Sequence, residues 1–273
     1  MKIITIGEAS FQIGLKYSLH SACEVLSIDS ERKNNRTIVI NEQNSAKEYE
    51  RNFAIDLDLL PLGEEIFLFV SDGSKISGIT LSLLAVLISR NNRINLIQIQ
   101  TEKSLMTKEV EKHSVIFNKV LKDVALSGYI ERLLIFNNQR LINLVRKEPG
   151  VNFINLYSRI NELISWYLFL LYEGLEGERL YGSKFNKVAE YARIETLGVL
   201  NLETFETVLF AEFKQPRSKH FFIFLNKEDA RNTEIANRII NNIRKTEDQM
   251  QITFTVHSTM DRSEGLCLTR TSI

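Results

Sequence analysis

The run Ile66-Phe67-Leu68-Phe69-Val70 constrains the fold more than any other segment: five apolar residues follow one another without alternation. A strand with one face in water alternates, whereas a strand covered on both faces does not. The run is followed by a polar turn with two glycines, Ser71 to Gly78, and then by an apolar helical pattern, Ile79–Ser89. Strand, glycine turn and helix in that order mark a parallel α/β unit.

Similar units flank it. Ile3–Ile6 is an apolar run that stops at Gly7, and Gln12 to Cys23 has helical spacing. Val25–Ile28 and Arg36–Ile40 are strand patterns, and residues 44–58 read as a polar helix. Strand Ile94–Ile99, helix Lys108–Leu126 and strand Leu133–Phe136 follow. Pro149-Gly150 punctuates the chain. Residues 151–175 then carry one long helical pattern through Leu156, Ile160, Leu163, Ile164, Leu168 and Leu171, nearly apolar all round at 166–172, which predicts burial.

The remainder changes character. A helix over Val188–Ile194 is followed by strand patterns at Val199–Leu202, Thr207–Phe213 and Phe221–Leu225, and then by a helix through Ile243. Gln251–His257 and Leu266–Thr271 alternate like paired strands with one face on a core. That is an α+β unit with a mixed sheet. The expected organisation is a first domain over 1–150, a central helix and connection over 151–181, and a smaller domain over 182–273.

Composition excludes several classes. With 44% hydrophobic and 25% charged residues the chain is not disordered. Lys plus Arg and Asp plus Glu each number 34, and the absence of a basic surplus argues against direct nucleic-acid binding. Cys23 and Cys267 lie far apart and read as small buried hydrophobes, and the isolated histidines have no zinc-site spacing. The longest apolar stretch, Ile164 to Tyr172, is about half a membrane span. Met1 to Gly7 reads as a strand and not as a signal peptide. A soluble cytoplasmic protein is expected.

In a parallel sheet, ligands bind beyond the carboxyl ends of strands, near helix N-termini. Three turns fall there: Gly7-Glu8-Ala9-Ser10-Phe11-Gln12-Ile13-Gly14, Asp72-Gly73-Ser74-Lys75-Ile76-Ser77-Gly78, and Asn137-Asn138-Gln139-Arg140. The first carries Glu8, which would repel a phosphate. The second offers Gly, Ser and Lys ahead of a helix but lacks the Gly-Lys-Ser/Thr order of a Walker loop. The third offers amides that can read the edge of a base.

Together these turns resemble the tubulin/FtsZ superfamily. Gly7 to Gly14 resembles the first nucleotide loop, Gly-Gln-Cys-Gly-Asn-Gln-Ile-Gly in tubulins, with Gly7, Gln12, Ile13 and Gly14 matching. Asp72 to Gly78 stands in the place of the signature Gly-Gly-Gly-Thr-Gly-Ser/Thr-Gly, with Gly73, Ser77 and Gly78 matching. Leu133 to Leu141 resembles the FtsZ segment Leu-Ile-Val-Ile-Pro-Asn-Asp/Gln-Arg-Leu, Leu156 to Ile164 the start of the long central helix, and Phe221 to Thr271 the closing strand–helix–strand–strand unit.

The resemblance implies a tubulin/FtsZ-like α/β fold: a parallel Rossmann-like nucleotide-binding sheet, a long central helix and a smaller α+β domain. It implies GTP or GDP held by Gly7, Gln12, Gly14, Gly73, Ser74, Lys75, Ser77, Gly78, Asn138, Tyr157 and Asn161. Asn138 and Asn161 would read guanine, Tyr157 would lie beside the base, and Lys75 would offset missing backbone donors. The implied partners are the chain itself, head to tail, or another tubulin/FtsZ-like subunit, with an adaptor protein as in plasmid- or phage-type relatives.

The loop that supplies catalytic acids in the family, Asn-Leu-Asp-Phe-Ala-Asp-Val in FtsZ, aligns with Gly182-Ser183-Lys184-Phe185-Asn186-Lys187-Val188. Lysines replace both acids, at Lys184 and Lys187, and a protonated lysine has no lone pair with which to orient or deprotonate water. The expected protein is therefore filament-type and does not hydrolyse GTP. Three readings stay open beside it: a nucleotide-free pseudo-GTPase scaffold, a working GTPase that uses Glu190, and an unrelated Rossmann-like domain without the long helix.

Overall fold

Strands that are apolar on both sides need cover on both sides, and the computed structural model, which describes residues 1–176, 180, 194–214, 216–246 and 250–271, supplies it with helices on each face of a parallel sheet. The described residues fall into two compact units, the first Met1–Trp166 with Ile194, the second the remainder from Tyr167 onward.

In chain order the first unit contains β1 (Lys2–Ile6), α1 (Gly7–Ser21), β2 (Val25–Asp29), β3 (Thr37–Val39), α2 (Ala46–Arg51), β4 (Glu65–Ser71), α3 (Thr80–Ser89), β5 (Arg93–Gln100), α4 (Lys108–Leu126), β6 (Arg132–Asn137) and α5 (Asn138–Val145). Its strands lie in the order β6-β5-β4-β1-β2-β3, every pair parallel. Ile66 to Val70 are all buried, as their lack of alternation predicts.

The two faces can be read from the register. Thr5 pairs with Phe69 and Phe69 with Ile97, so these three point the same way. On their side α1 covers the sheet: Tyr17 meets Phe67 and Phe69 with ring centroids 5.4 and 6.0 Å apart. Gly14 lets the helix sit close, since a Cβ there would come within 2.6 Å of Thr5 Cγ2. Gln98 points the other way, and its amide donates to Asn118 of α4, so α4 covers the opposite face. Burying each large apolar side chain in these layers contributes roughly 1.5–3 kcal/mol.

Helix α6 (Leu156–Glu176) enters beside α1, where the buried Ser165 hydroxyl donates to the Ile13 carbonyl at 3.1 Å and to its own Asn161 carbonyl at 2.7 Å. The helix continues into the second unit, where Tyr167, Leu168, Leu170 and Leu171 are buried.

The second unit adds β7 (Ile194–Leu200), β8 (Thr207–Leu209), β9 (Pro216–Leu225), α7 (Thr233–Thr246), β10 (Met250–Val256) and β11 (Glu264–Thr271). The order is β10-β9-β11-β7, with β8 antiparallel on β7. Phe221, Ile223, Phe254 and Cys267 pack with Ile239 and Ile243 of α7, so Cys267 is a buried hydrophobe.

Several expectations need correcting. The helix expected over 44–58 is only Ala46–Arg51, capped by Ser45, and Leu57–Leu59 is a separate 3₁₀ turn. The first helix starts at Gly7 and not at Gln12. Gln251–His257 and Leu266–Thr271 do not pair with each other: both flank β9, one parallel and one antiparallel, and alternation alone cannot say which neighbour a strand chooses. Of the helix expected at Val188–Ile194, residues 188–193 lie outside the described residues, and Ile194 opens a strand.

Candidate nucleotide-binding site

The strand order reverses direction between β1 and β4: β1 connects outward to β2, and β4 connects the other way to β5. A crevice outside the carboxyl ends of the strands at such a point is where doubly wound sheets bind ligands. A cavity of about 600 Å³ lies there, within the usual range for small-molecule sites. Each strand end contributes to its wall: Ile6 and Gly7 after β1, Asp29 and Ser30 after β2, Ser71, Gly73, Ser74 and Lys75 after β4, Ile99 and Thr101 at β5, and Asn138 after β6. Tyr157, Ile160, Asn161 and Ile164 of α6 close it.

The cavity lining contains two chemically distinct groups. In one, α1 begins without a side-chain cap, since its N-cap residue is Ile6. An uncapped N-terminus presents free N–H donors and the positive end of the helix dipole. Gly7 makes the sharp entry with φ +76°, a conformation that favours glycine, and a Cβ would lie 3.0 Å from Ile76. The 3₁₀ turn Lys75–Ile79 also starts without a side-chain cap, at Ser74.

The other group is Asn138, Asn161 and Tyr157. Asn138 is buried, Asn161 half-buried and Tyr157 exposed. Neither asparagine side chain is engaged by another described residue, whereas Asn137 spends its amide oxygen capping α5 on the Arg140 N–H at 3.2 Å.

Not every residue implied by the resemblance reaches the cavity. Gly7, Gly73, Ser74, Lys75, Asn138, Tyr157 and Asn161 line it. Gln12 lies on the exposed side of α1, donating to Glu8 at 2.6 Å. Gly14 serves helix-on-sheet packing. Ser77 donates to the Ser74 carbonyl at 2.7 Å, and Gly78 lies so close to the Ala46 backbone that a Cβ would overlap it. Gly182, Lys184, Lys187 and Glu190 lie outside the described residues.

The structure adds contacts around these turns that have no local signal in the sequence. Asp72, buried beneath the glycine turn, accepts from the Thr101 N–H at 2.7 Å, the Ser114 hydroxyl at 2.7 Å and the Asn118 amide at 3.0 Å. One carboxylate thus ties the β4 turn to the β5 turn and to α4. Glu8, Asp29 and Glu42 make the lining acidic. Lys33, with its side chain 15% exposed, offsets them: its ammonium lies 2.7 Å from Glu8, 3.2 Å from Glu31 and 3.8 Å from Asp29. The hydrogen bond from Lys33, seconded by that from Gln12, holds the Glu8 carboxyl below the usual carboxylate range, and the bond to Glu8 raises Lys33 above its ordinary value. Lys75 makes no ion pair among the described residues.

No family model matches the sequence, and no curated protein matches it. Solved structures do. CetZ1 of Haloferax volcanii, a GDP-bound monomer, is 13% identical with a TM-score of 0.68 over 100% of this chain and 94% of that one. The fold is the tubulin/FtsZ one. TubZ of Bacillus thuringiensis serovar israelensis, in a GTPγS-form protofilament, gives 9% identity and a TM-score of 0.67 over 99% and 86%. An FtsZ dimer from M. jannaschii gives 12% and 0.63 over 99% and 88%. The tubulin/FtsZ fold thus spans nearly the whole chain at very low identity. Among the described residues no helix is long and apolar enough to cross a membrane, and no group of three or more His, Cys, Asp or Glu side chains could hold a metal.

Proposed function

We propose that the cavity binds a guanine nucleotide, GTP or GDP, and that the protein is a cytoplasmic filament-type subunit that associates head to tail without hydrolysing GTP. The observation that carries the nucleotide is the pair of unengaged amides, Asn138 and Asn161, lining the same cavity as an uncapped helix N-terminus. An amide offers a donor and an acceptor, the complement of a guanine edge. Tyr157 supplies a ring for the base, and such stacking is worth ~1–3 kcal/mol in nucleic-acid systems. The N–H groups of α1 and the Lys75 ammonium suit phosphate oxygens.

Head-to-tail association is supported by the protofilament form of the TubZ neighbour. A contact between unlike surfaces that does not close into a ring continues as a filament. Absence of hydrolysis rests on Lys184 and Lys187 in the sequence, where the family has acids. An adaptor protein would link such a filament to its cargo.

The acids Glu8, Asp29 and Glu42 favour a second reading, a nucleotide-free scaffold, because they tax any phosphate brought among them. Isothermal titration of nucleotide-free protein with GTP, GDP and ATP separates the two. Micromolar guanine-selective binding with no phosphate release, lost in Asn138→Ala, supports the first reading. No binding of any nucleotide overturns the first reading and leaves the scaffold, whose partner a pull-down would then identify.

A further inference from the structure

We infer that the cavity selects its ligand by phosphate count, taking the guanine nucleoside diphosphate in preference to the triphosphate, with Glu8 as the residue that sets the preference. The inference rests on the nucleotide reading and narrows it to one form of the ligand.

The charges in the lining argue it. Its carboxylates are Glu8, Asp29 and Glu42, and its one cation among the described residues is Lys75. Lys33, just behind the lining, does not even the balance. Its ammonium is already shared by Glu8 at 2.7 Å, Glu31 at 3.2 Å and Asp29 at 3.8 Å. One positive charge among three carboxylates leaves that cluster negative. Asp29 is buried, and its Oδ2 has no hydrogen-bond partner among the described residues. Glu42 is exposed and makes no ion pair among the described residues.

The position of Glu8 adds to this. It stands in the first turn of α1, where the positive end of the helix dipole attracts any anion. A carboxylate fixed there takes up part of the attraction that a bare helix start would offer a phosphate. The hydrogen bonds from Lys33 and Gln12 hold its carboxyl below the usual carboxylate range, so it stays charged at neutral pH.

The free N–H groups of α1 and the Lys75 ammonium still favour phosphate, as the nucleotide reading requires. Each further phosphate adds negative charge, and the described lining holds no further cation to meet it. At the effective dielectric of a protein site, one uncompensated charge within ~8 Å of another changes an affinity by roughly tenfold or more. The sequence agrees from another direction. Lys184 and Lys187 stand where the family has acids, and a chain that holds the diphosphate has no γ-phosphate for such acids to act on.

The test is calorimetric titration of the nucleotide-free full chain with GDP and with GTPγS, which resists hydrolysis, once in magnesium chloride and once in EDTA. GDP is expected to bind roughly tenfold tighter or more in both, by a ratio that shrinks as added salt screens the carboxylates. Glu8→Gln keeps the shape of the side chain and removes its charge. It should cut the ratio several-fold by raising the affinity for GTPγS more than that for GDP, with circular dichroism confirming the fold. Equal or tighter binding of GTPγS in EDTA overturns the inference and leaves the nucleotide reading standing. The same result in magnesium also overturns it, since the carboxylates would then be holding a metal–nucleotide complex. A ratio unmoved by Glu8→Gln overturns the role of Glu8. No binding of either nucleotide overturns the nucleotide reading itself, and this inference with it.

Discussion

The ammonium of Lys33 lies 2.7 Å from the Glu8 carboxylate at the head of α1, so a cation from the β2–β3 connection neutralises an acid that, on the proposed reading, would face the nucleotide's phosphates. Lys33→Met should therefore weaken binding of GDP by at least ~10-fold, and Glu8→Gln in that background should recover most of the loss. Titration calorimetry on the three proteins checks this, and equal affinities for Lys33→Met and wild type would rule out the neutralising role.

Asp72 is the buried acceptor for three donors on two other elements. Asp72→Ala leaves those donors without their partner and should cost about 3 kcal/mol or more. Urea unfolding measures it. Because the same carboxylate fixes both turns that wall the cavity, ligand affinity should fall as well. A loss below about 1 kcal/mol would show that water replaces the carboxylate.

Gly78 meets the Ala46 backbone, which unlike a side chain has no rotamer with which to move aside. Gly78→Ala should destabilise by about 1–3 kcal/mol or more through overpacking. At exposed Gly63, with φ +67° and open space where a Cβ would go, the same change meets only the backbone penalty. The two denaturation midpoints compare the mechanisms directly.

His113 stacks on Phe117 with centroids 5.7 Å apart, and its Nε2 is buried with no hydrogen-bond partner among the described residues. Burial lowers its pKa below the ordinary value, against the opposing pull of Glu50, Asp72 and Glu109. The folded state thus takes up the proton less readily than the unfolded chain. The stability this contributes is complete above about pH 6.5 and is lost as pH falls through the lowered value. His113→Leu should flatten the decline in urea midpoint between about pH 7 and pH 5.

Much of this architecture is legible in the sequence because burial on two faces suppresses alternation. Ile66 to Val70 declares a central strand, and Lys108–Leu126 coincides with α4 because Thr107 caps it on the Val110 N–H. Asn138, Asn161 and Tyr157 were legible as a set from their order along the family pattern, and they line one cavity. Lys33 was not legible: it stands 25 residues from Glu8, and only the sheet brings them together. Asp72 sat in a recognised turn, but its partners Ser114 and Asn118 lie on α4. The early start of α1 is hidden because its N-cap residue is Ile6, so no capping side chain marks the helix start in the sequence.

The parallel sheet has a consequence for the order of events during folding. Ile4 pairs with Leu68, so the switch point forms only after a loop of some sixty residues has closed, and such pairings are slow. The cavity walls run from Ile6 to Ile164, and a nascent chain therefore has no site to offer until the start of α6 has docked. A ligand that binds only the completed site stabilises the whole unit against unfolding. Its signature is slowed amide exchange across all six strands together, and not in the cavity loops alone.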